Sequence, residues 1–212
     1  MTRIYIVRHG NTLWNKDKIF RGHKDIPLDE TGKEEAKKVA DVMSEIKIDK
    51  IFSSPLLRAK ETADIIAKPH NLDVEKENAF IDISFGEWQG ISLNKVKEKW
   101  PKLYDKWLNE PDKVKFPKGD RLEDVLKRSV GKIKDLVNIY SDKNLLIVSH
   151  RVVNKVMILG CLGIDLSHFW QIGQDTCAIN LILYNGNSFI LSILNDTCHI
   201  APIAYQGKKA DF

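Results

Sequence analysis

Hydrophobic and polar positions along this chain switch between two periods: short unbroken apolar runs, and stretches spaced for one face of a helix. Residues 3–7 form a short strand-like run, apolar in the four positions after Arg3. Ala36, Val39, Ala40 and Met43 fall at i, i+3, i+4 and i+7 and predict an amphipathic helix. Its start is marked by Thr31-Gly32-Lys33-Glu34, a capping-box pattern. Lys50–Ser53 reads as a second strand and 56–68 as a helix stopped by Pro69. Leu122, Leu126, Ser129, Ile133, Leu136 and Tyr140 trace a long helix. Asn144–Ser149 is a buried-type strand, followed by a helix near 152–159. Two closing strands, 177–184 and 188–194, flank Asn185-Gly186, a hairpin turn signal.

Strands alternating with helices predict an α/β fold, a three-layer α/β/α arrangement around a mostly parallel central sheet. A single domain over 1–212 fits the length, with a helical excursion from the sheet at about 85–118. In that excursion Trp100, Tyr104 and Trp107 sit at helical spacing, which suits packing on the domain or a lid over a substrate. In sheets of this kind the reactive crevice lies beyond the carboxyl ends of the strands. The places to search are therefore just after Val7, Ser53 and Ser149.

Composition narrows the class. At 43% hydrophobic and 29% charged, the 212 residues match ordinary globular usage, which excludes collagen-like, disordered and disulfide-framework chains. The three cysteines, Cys161, Cys177 and Cys198, cannot all pair and form no C-x-x-C, so structural zinc is not expected and a reducing cytoplasm is. The apolar run after Arg3 is too short for a signal-peptide core, and asparagines interrupt the charge-free stretch 176–195, so no membrane association is expected. A net charge of +4 favours a small anion, but lysines alternate with glutamates and no basic stripe interleaves with aromatics; a nucleic-acid partner is not expected. Only five charged residues occur in 144–200, so this part is core, subunit interface or both. Phe169, Trp170 and Ile172 are the candidate anchors of a homodimer.

Two histidines and two arginines occupy the positions the crevice rule selects. The first strand ends in Arg8-His9-Gly10, the later one in Ser149-His150-Arg151, and Ser53-Ser54-Pro55 leads to Arg58 one turn into a helix. Planar, permanently charged guanidinium forks suit phosphate oxygens, and the unpaired N–H groups of helix N-termini favour the same anion. A histidine among them can attack phosphorus if its attacking nitrogen is unprotonated and the other ring nitrogen keeps its proton. Position alone does not separate such a histidine from a structural one. No G-x-G-x-x-G, Walker A, H-E-x-x-H or EF-hand pattern is present, so no cofactor or metal is implied.

Arg8-His9-Gly10-Asn11-Thr12 with Trp14-Asn15 resembles the signature of the histidine phosphatase (phosphoglycerate mutase-like) superfamily. Further matches follow in order: Arg21-Gly22 with Asp25-Ile26-Pro27-Leu28 and Gly32, Ser53-Ser54-Pro55 with Arg58-Ala59 and Thr62-Ala63, Phe85-Gly86 with Trp88 and Gly90, and Ser149-His150. The resemblance implies a metal-independent phosphomonoesterase acting on a small phosphomonoester. His9 would become phosphohistidine, His150 would line the phosphate, and Arg8 and Arg58 would bind the transferring group. Asn15, Arg21 and Gly22 would contribute from the loop 11–23. The family's acid is usually a Glu four residues before the Gly of the Phe-Gly pair; here that position is Asp82, with Glu87 as the alternative. Arg151 stands where many relatives have Gly, and His199 is a further candidate substrate contact. The segments 110–114, 162–170 and 195–199 look like the metal-independent phosphoserine phosphatases, which makes phosphoserine the leading substrate. An α-ribazole phosphate or broad sugar-phosphate phosphatase, or a phosphoglycerate mutase, is the alternative.

Overall fold

The computed structural model describes residues 1–201. The segment 207–212, which its sequence suggests is a frayed tail, lies outside them. Six strands form one sheet: β1 (Thr2–Arg8), β2 (Lys50–Ser53), β3 (Val74–Lys76), β4 (Asn144–Ser149), β5 (Ile179–Tyr184) and β6 (Phe189–Asp196), in the order β3-β2-β4-β1-β5-β6. The first four are mutually parallel; β5 and β6 run antiparallel as a hairpin over Asn185-Gly186. Parallel strands dominate as expected, and the antiparallel pair closes one edge.

The helices are α1 (Leu13–Lys16), α2 (Glu30–Met43), α3 (Leu57–Ala67), α4 (Leu93–Lys99), α5 (Pro101–Asn109), α6 (Leu122–Ile139) and α7 (Arg151–Leu162). Two apolar clusters explain why β1 and β4 read as continuous runs. Ile4, Ile6, Leu145 and Ile147 pack into one cluster with α6, α7 and the excursion. Tyr5, Val7, Leu146 and Val148, the alternate positions, pack into the other against Ala36, Val39, Ala59 and Ala63 of α2 and α3. A strand buried on both faces has no polar face to show. Full burial of each such side chain is worth about 1.5–3 kcal/mol.

Two local expectations change. The cap of α2 is Asp29, whose side chain accepts from Gly32 N at 2.8 Å, so Thr31 lies inside the first turn rather than capping it. Helix α3 ends at Ala67, and Pro69 sits within a 3₁₀ turn, Lys68–His70, that closes on Asn71 in the left-handed region. In the charge-poor stretch 144–200, most of β4 and α7 and residues 177–180 are buried, while β6 alternates between half-buried and exposed positions. Phe169 and Ile172 are buried within the protomer, which removes them as dimer anchors, and Trp170 is half-buried. No described helix is long and apolar enough to cross a membrane.

Candidate active site

Register brings three strand ends level. Arg8 pairs with Ser149 and Ser53 with Val148, and β4 lies between β1 and β2. His9 N donates to Ser149 O (3.0 Å) and Ser54 N to Val148 O (3.0 Å), so the next residues, His9, His150 and Ser54, emerge side by side. His150 then caps α7, whose positive dipole end opens on the same point.

His9 is about 1% exposed. Its Nδ1 lies 2.7 Å from the Gly10 carbonyl, which can only accept, so Nδ1 carries the ring proton. Burial and the charges of Arg58, Arg8 and Arg21 hold its pKa well below 6.5. The neutral ring therefore keeps its lone pair on Nε2. His150 is also held well below 6.5, by burial first and then by Arg58, His9, Arg21 and Arg128. Its Nε2 shares a 2.7 Å hydrogen bond with Ser54 Oγ, and its Nδ1 stands 3.7 Å from Asp82 Oδ2.

Arg58 is fully buried and locked: Nη1 donates to Lys24 O (2.9 Å), Nη2 to Gly22 O (2.8 Å) and to Asp82 Oδ2 (2.9 Å). Its Nε, like His150 Nδ1, is buried and makes no hydrogen bond among the described residues. Arg8 Nη1 donates to Gln174 O at 2.6 Å. Thr62 joins the two halves, accepting from Gly10 N (3.1 Å) and donating to Arg58 O (2.7 Å). Buried guanidinium groups close to an unprotonated imidazole can hold a phosphoryl group and present a nucleophile to it.

A crevice opens over His9, Arg21 and Asp82, walled by Phe20, Phe85, Trp107, Phe169 and Trp170, with Arg151 also in its lining. The Arg151 guanidinium stacks on the Trp170 ring at 5.4 Å. The aromatic stripe of the excursion divides: Trp100 and Tyr104 pack on Trp88, while Trp107 packs on Phe85, Phe116 and Phe169 and faces the crevice.

Of the remaining expected residues, Gly22 (φ 51°) serves through its carbonyl; a Cβ there would fall 2.1 Å from Gln89 Oε1. Asn15 accepts from the Thr12 amide (3.0 Å) and hydroxyl (2.7 Å), shaping the loop at the start of α1. Glu87 pairs with Lys118 (2.9 Å) and is 39% exposed, outside the crevice walls. His199 bonds Cys177 O (3.1 Å), and the adjoining Ile200 packs on the α2–α3 cluster, across the sheet from the crevice rings. Pattern reading gives no signal for Gln174, Arg128 or Lys155, while Ser54 lies in the motif Ser53-Ser54-Pro55 without being assigned a part.

The model of the histidine phosphatase superfamily (branch 1) matches residues 4–197. This chain belongs to that superfamily. It is an enzyme of the phosphatase class. This histidine phosphatase is 35% identical over 210 residues to Phosphoserine phosphatase 1 of Hydrogenobacter thermophilus, covering 99% of this chain and 100% of the relative. Among solved structures, YhfR of Bacillus stearothermophilus superposes with a TM-score of 0.91 at 26% identity, over 95% of this chain and 100% of that one. A mutant phosphoserine phosphatase from Entamoeba histolytica in complex with phosphoserine gives a TM-score of 0.86 at 27% identity, over 95% and 100%.

Proposed function

We propose that this histidine phosphatase hydrolyses a small phosphomonoester, phosphoserine first among the candidates, through a phosphohistidine on His9. His9 Nε2 attacks phosphorus as the ester P–O bond breaks, and Asp82 gives a proton to the departing oxygen. Water then attacks phosphorus, Asp82 takes its proton, the N–P bond breaks and phosphate leaves. Arg8, Arg58 and His150 hold the phosphoryl oxygens and neutralise the charge that develops on them. The observation that carries this reading is the Nδ1–H bond to Gly10 O, which leaves Nε2 as the nucleophile inside the cationic crevice.

The leaving group would lie along the aromatic wall, with Arg21 and Arg151 as its cationic contacts, Arg151 meeting a carboxylate. Gly22 and Asn15 shape the loop that carries Arg21. The relatives named for phosphoserine favour that substrate. His199 is given no role, because its ring bonds to Cys177 on the far side of the sheet.

The test is a rapid-quench reaction with labelled ester and EDTA present. An acid-labile, base-stable adduct on His9, absent from His9→Ala, is expected. Full turnover by His9→Ala would overturn the reading. A panel of phosphoserine, α-ribazole phosphate, sugar phosphates and 3-phosphoglycerate ranks the substrates, and interconversion of 3- and 2-phosphoglycerate would favour a mutase.

A cytoplasmic homodimer belongs to the same proposal. Burial keeps the Cys161 and Cys177 thiols protonated, which suits a reducing compartment. The dimer surface passes to β6, the edge strand, where Ile190 and Leu194 are exposed. Sedimentation should show a dimer that Leu194→Lys weakens; a wild-type monomer at all concentrations would refute it.

A further inference from the structure

The backbone of Asp82 is gripped by two side chains to which the reaction above gives no part. Arg128, on α6, donates from Nη2 to Asp82 O (3.0 Å) and from Nη1 to Ala79 O (2.6 Å). His23, from the loop before α2, donates from Nε2 to the same Asp82 carbonyl at 2.8 Å. The segment they hold lies between the 3₁₀ turn Asn78–Phe80 and the 3₁₀ turn Gly86–Trp88, outside every strand of the sheet. No sheet ladder therefore fixes it.

Arg128 is an expensive way to hold a loop. Its guanidinium is half-buried, and desolvation pushes its pKa down. Its hydrogen bonds go to two backbone carbonyls rather than to a carboxylate. An apolar side chain would avoid that desolvation cost but would take this donor from Ala79 O and leave Asp82 O to His23 alone. What the guanidinium adds is geometry, a rigid fork that sets the spacing of two carbonyls. The geometry matters because Asp has one methylene. Its carboxyl cannot swing far, and its position follows its Cα. Both carboxylate oxygens are also engaged, Oδ2 by Arg58 Nη2 (2.9 Å) and Oδ1 by Ile83 N (2.9 Å), so rotation cannot make up for a displaced backbone.

We propose that Arg128, seconded by His23, is a positioning residue that clamps the backbone of Asp82 so that its short carboxyl reaches the leaving oxygen. This inference rests on the assignment of Asp82 as the proton donor. Its signature is dependence on the leaving group. An alkoxide must be protonated as it departs, whereas p-nitrophenolate leaves without help. A clamp on the donor therefore controls the first kind of ester and hardly touches the second.

The experiment measures kcat/KM, which reports events up to departure of the leaving group, for an alkyl phosphomonoester the enzyme turns over and for p-nitrophenyl phosphate. Arg128→Gln is expected to lower the alkyl-to-aryl ratio of kcat/KM about 10–100-fold, a part of the general-acid contribution. Arg128→Lys, which keeps a charge and a donor, is expected to recover part of that ratio, and it stands in if the Gln variant does not fold. His23→Ala should shift the ratio in the same direction by less. Equal losses on both esters, or none, would overturn the clamp. Asp82→Asn run in parallel separates the two levels. If it leaves the ratio unchanged, the proton-donor assignment fails and the clamp with it. If it lowers the ratio while Arg128→Gln does not, the assignment stands and the clamp alone falls.

Discussion

The rings of His9 and His150 face each other with centroids 5.2 Å apart and planes tilted by 59°. Both are buried among arginines, which disfavour a proton on either ring, and His9 adds to that effect on His150. Neither ring can be spared for charge, and this decides their pH behaviour.

As pH falls from about 8 toward 6.5, His9 stays neutral, because burial and Arg58 keep its folded pKa well below 6.5. The kcat/KM profile should therefore show no acid limb from His9 near 6.5. Stability behaves differently. Below about 6.5 the unfolded chain takes up protons that the folded state refuses at His9 and His150, so unfolding free energy falls as pH drops through that point. Urea melts at a series of pH values check this; a transition whose midpoint rises on acidification below 6.5 would contradict the burial argument.

Asp82 and Glu87 are separated by their surroundings. Asp82 touches Arg58 and the crevice, while Glu87 is tied to Lys118 outside it. Asp82→Asn is expected to lose about 10²–10⁴-fold in turnover of an alkyl ester, the usual range for a general acid. Glu87→Gln should stay within about threefold, since an exposed ion pair is worth about 0–1 kcal/mol. A steady-state comparison of the two purified variants decides between them, and the reverse ranking would reassign the acid.

Arg151 is the cation at the aromatic end of the crevice, stacked on Trp170. Its removal should raise KM for carboxylate-bearing phosphomonoesters about 10–150-fold, from loss of a charged hydrogen bond worth about 1.5–3 kcal/mol. Neutral esters should change little. If Arg151→Ala shifts both groups alike, the guanidinium is not reading the leaving group.

Lys155, one turn further along α7, is buried against Phe169 and Trp170, with Nζ 4.6 Å and 4.7 Å from the ring centroids and 3.3 Å from Phe169 O. Burial, with Arg151 and Arg8, pulls its amine down to about 6. An unfolded lysine titrates near about 10.4, so between about pH 6 and 10 the unfolded chain binds one more proton, and stability rises with pH across that window. Lys155→Met should stabilise the fold by about 1–4 kcal/mol at neutral pH and flatten that rise. Thermal melts at pH 7 and 9 measure both effects; a lower Tm at each pH would mean the amine's hydrogen bond and ring contacts outweigh its desolvation.

Much of the site was legible because its residues follow strand ends. His9, Ser54 and His150 each come directly after a short apolar run, and parallel register does the rest. The three-residue strand β3 escaped notice because three positions carry no period. Gln174, Arg128 and Lys155 were silent for another reason. Arg128 and Lys155 donate to backbone carbonyls of residues 79, 82 and 169, and Gln174 offers its own carbonyl to Arg8; no local pattern encodes such distant partners. Gln174 in particular serves Arg8 through its main chain, which any residue could supply.

By itself the order of residues determined the alternation of strands and helices and the chemistry placed at their ends, since both depend on neighbours within a few positions. Only the tertiary structure decided which carboxylate meets Arg58, which face His199 occupies, and which of the tryptophans line the crevice. Those outcomes depend on how the sheet, α6 and the excursion close on one another, and contacts between residues tens of positions apart are set by packing of the whole chain rather than by any local spacing.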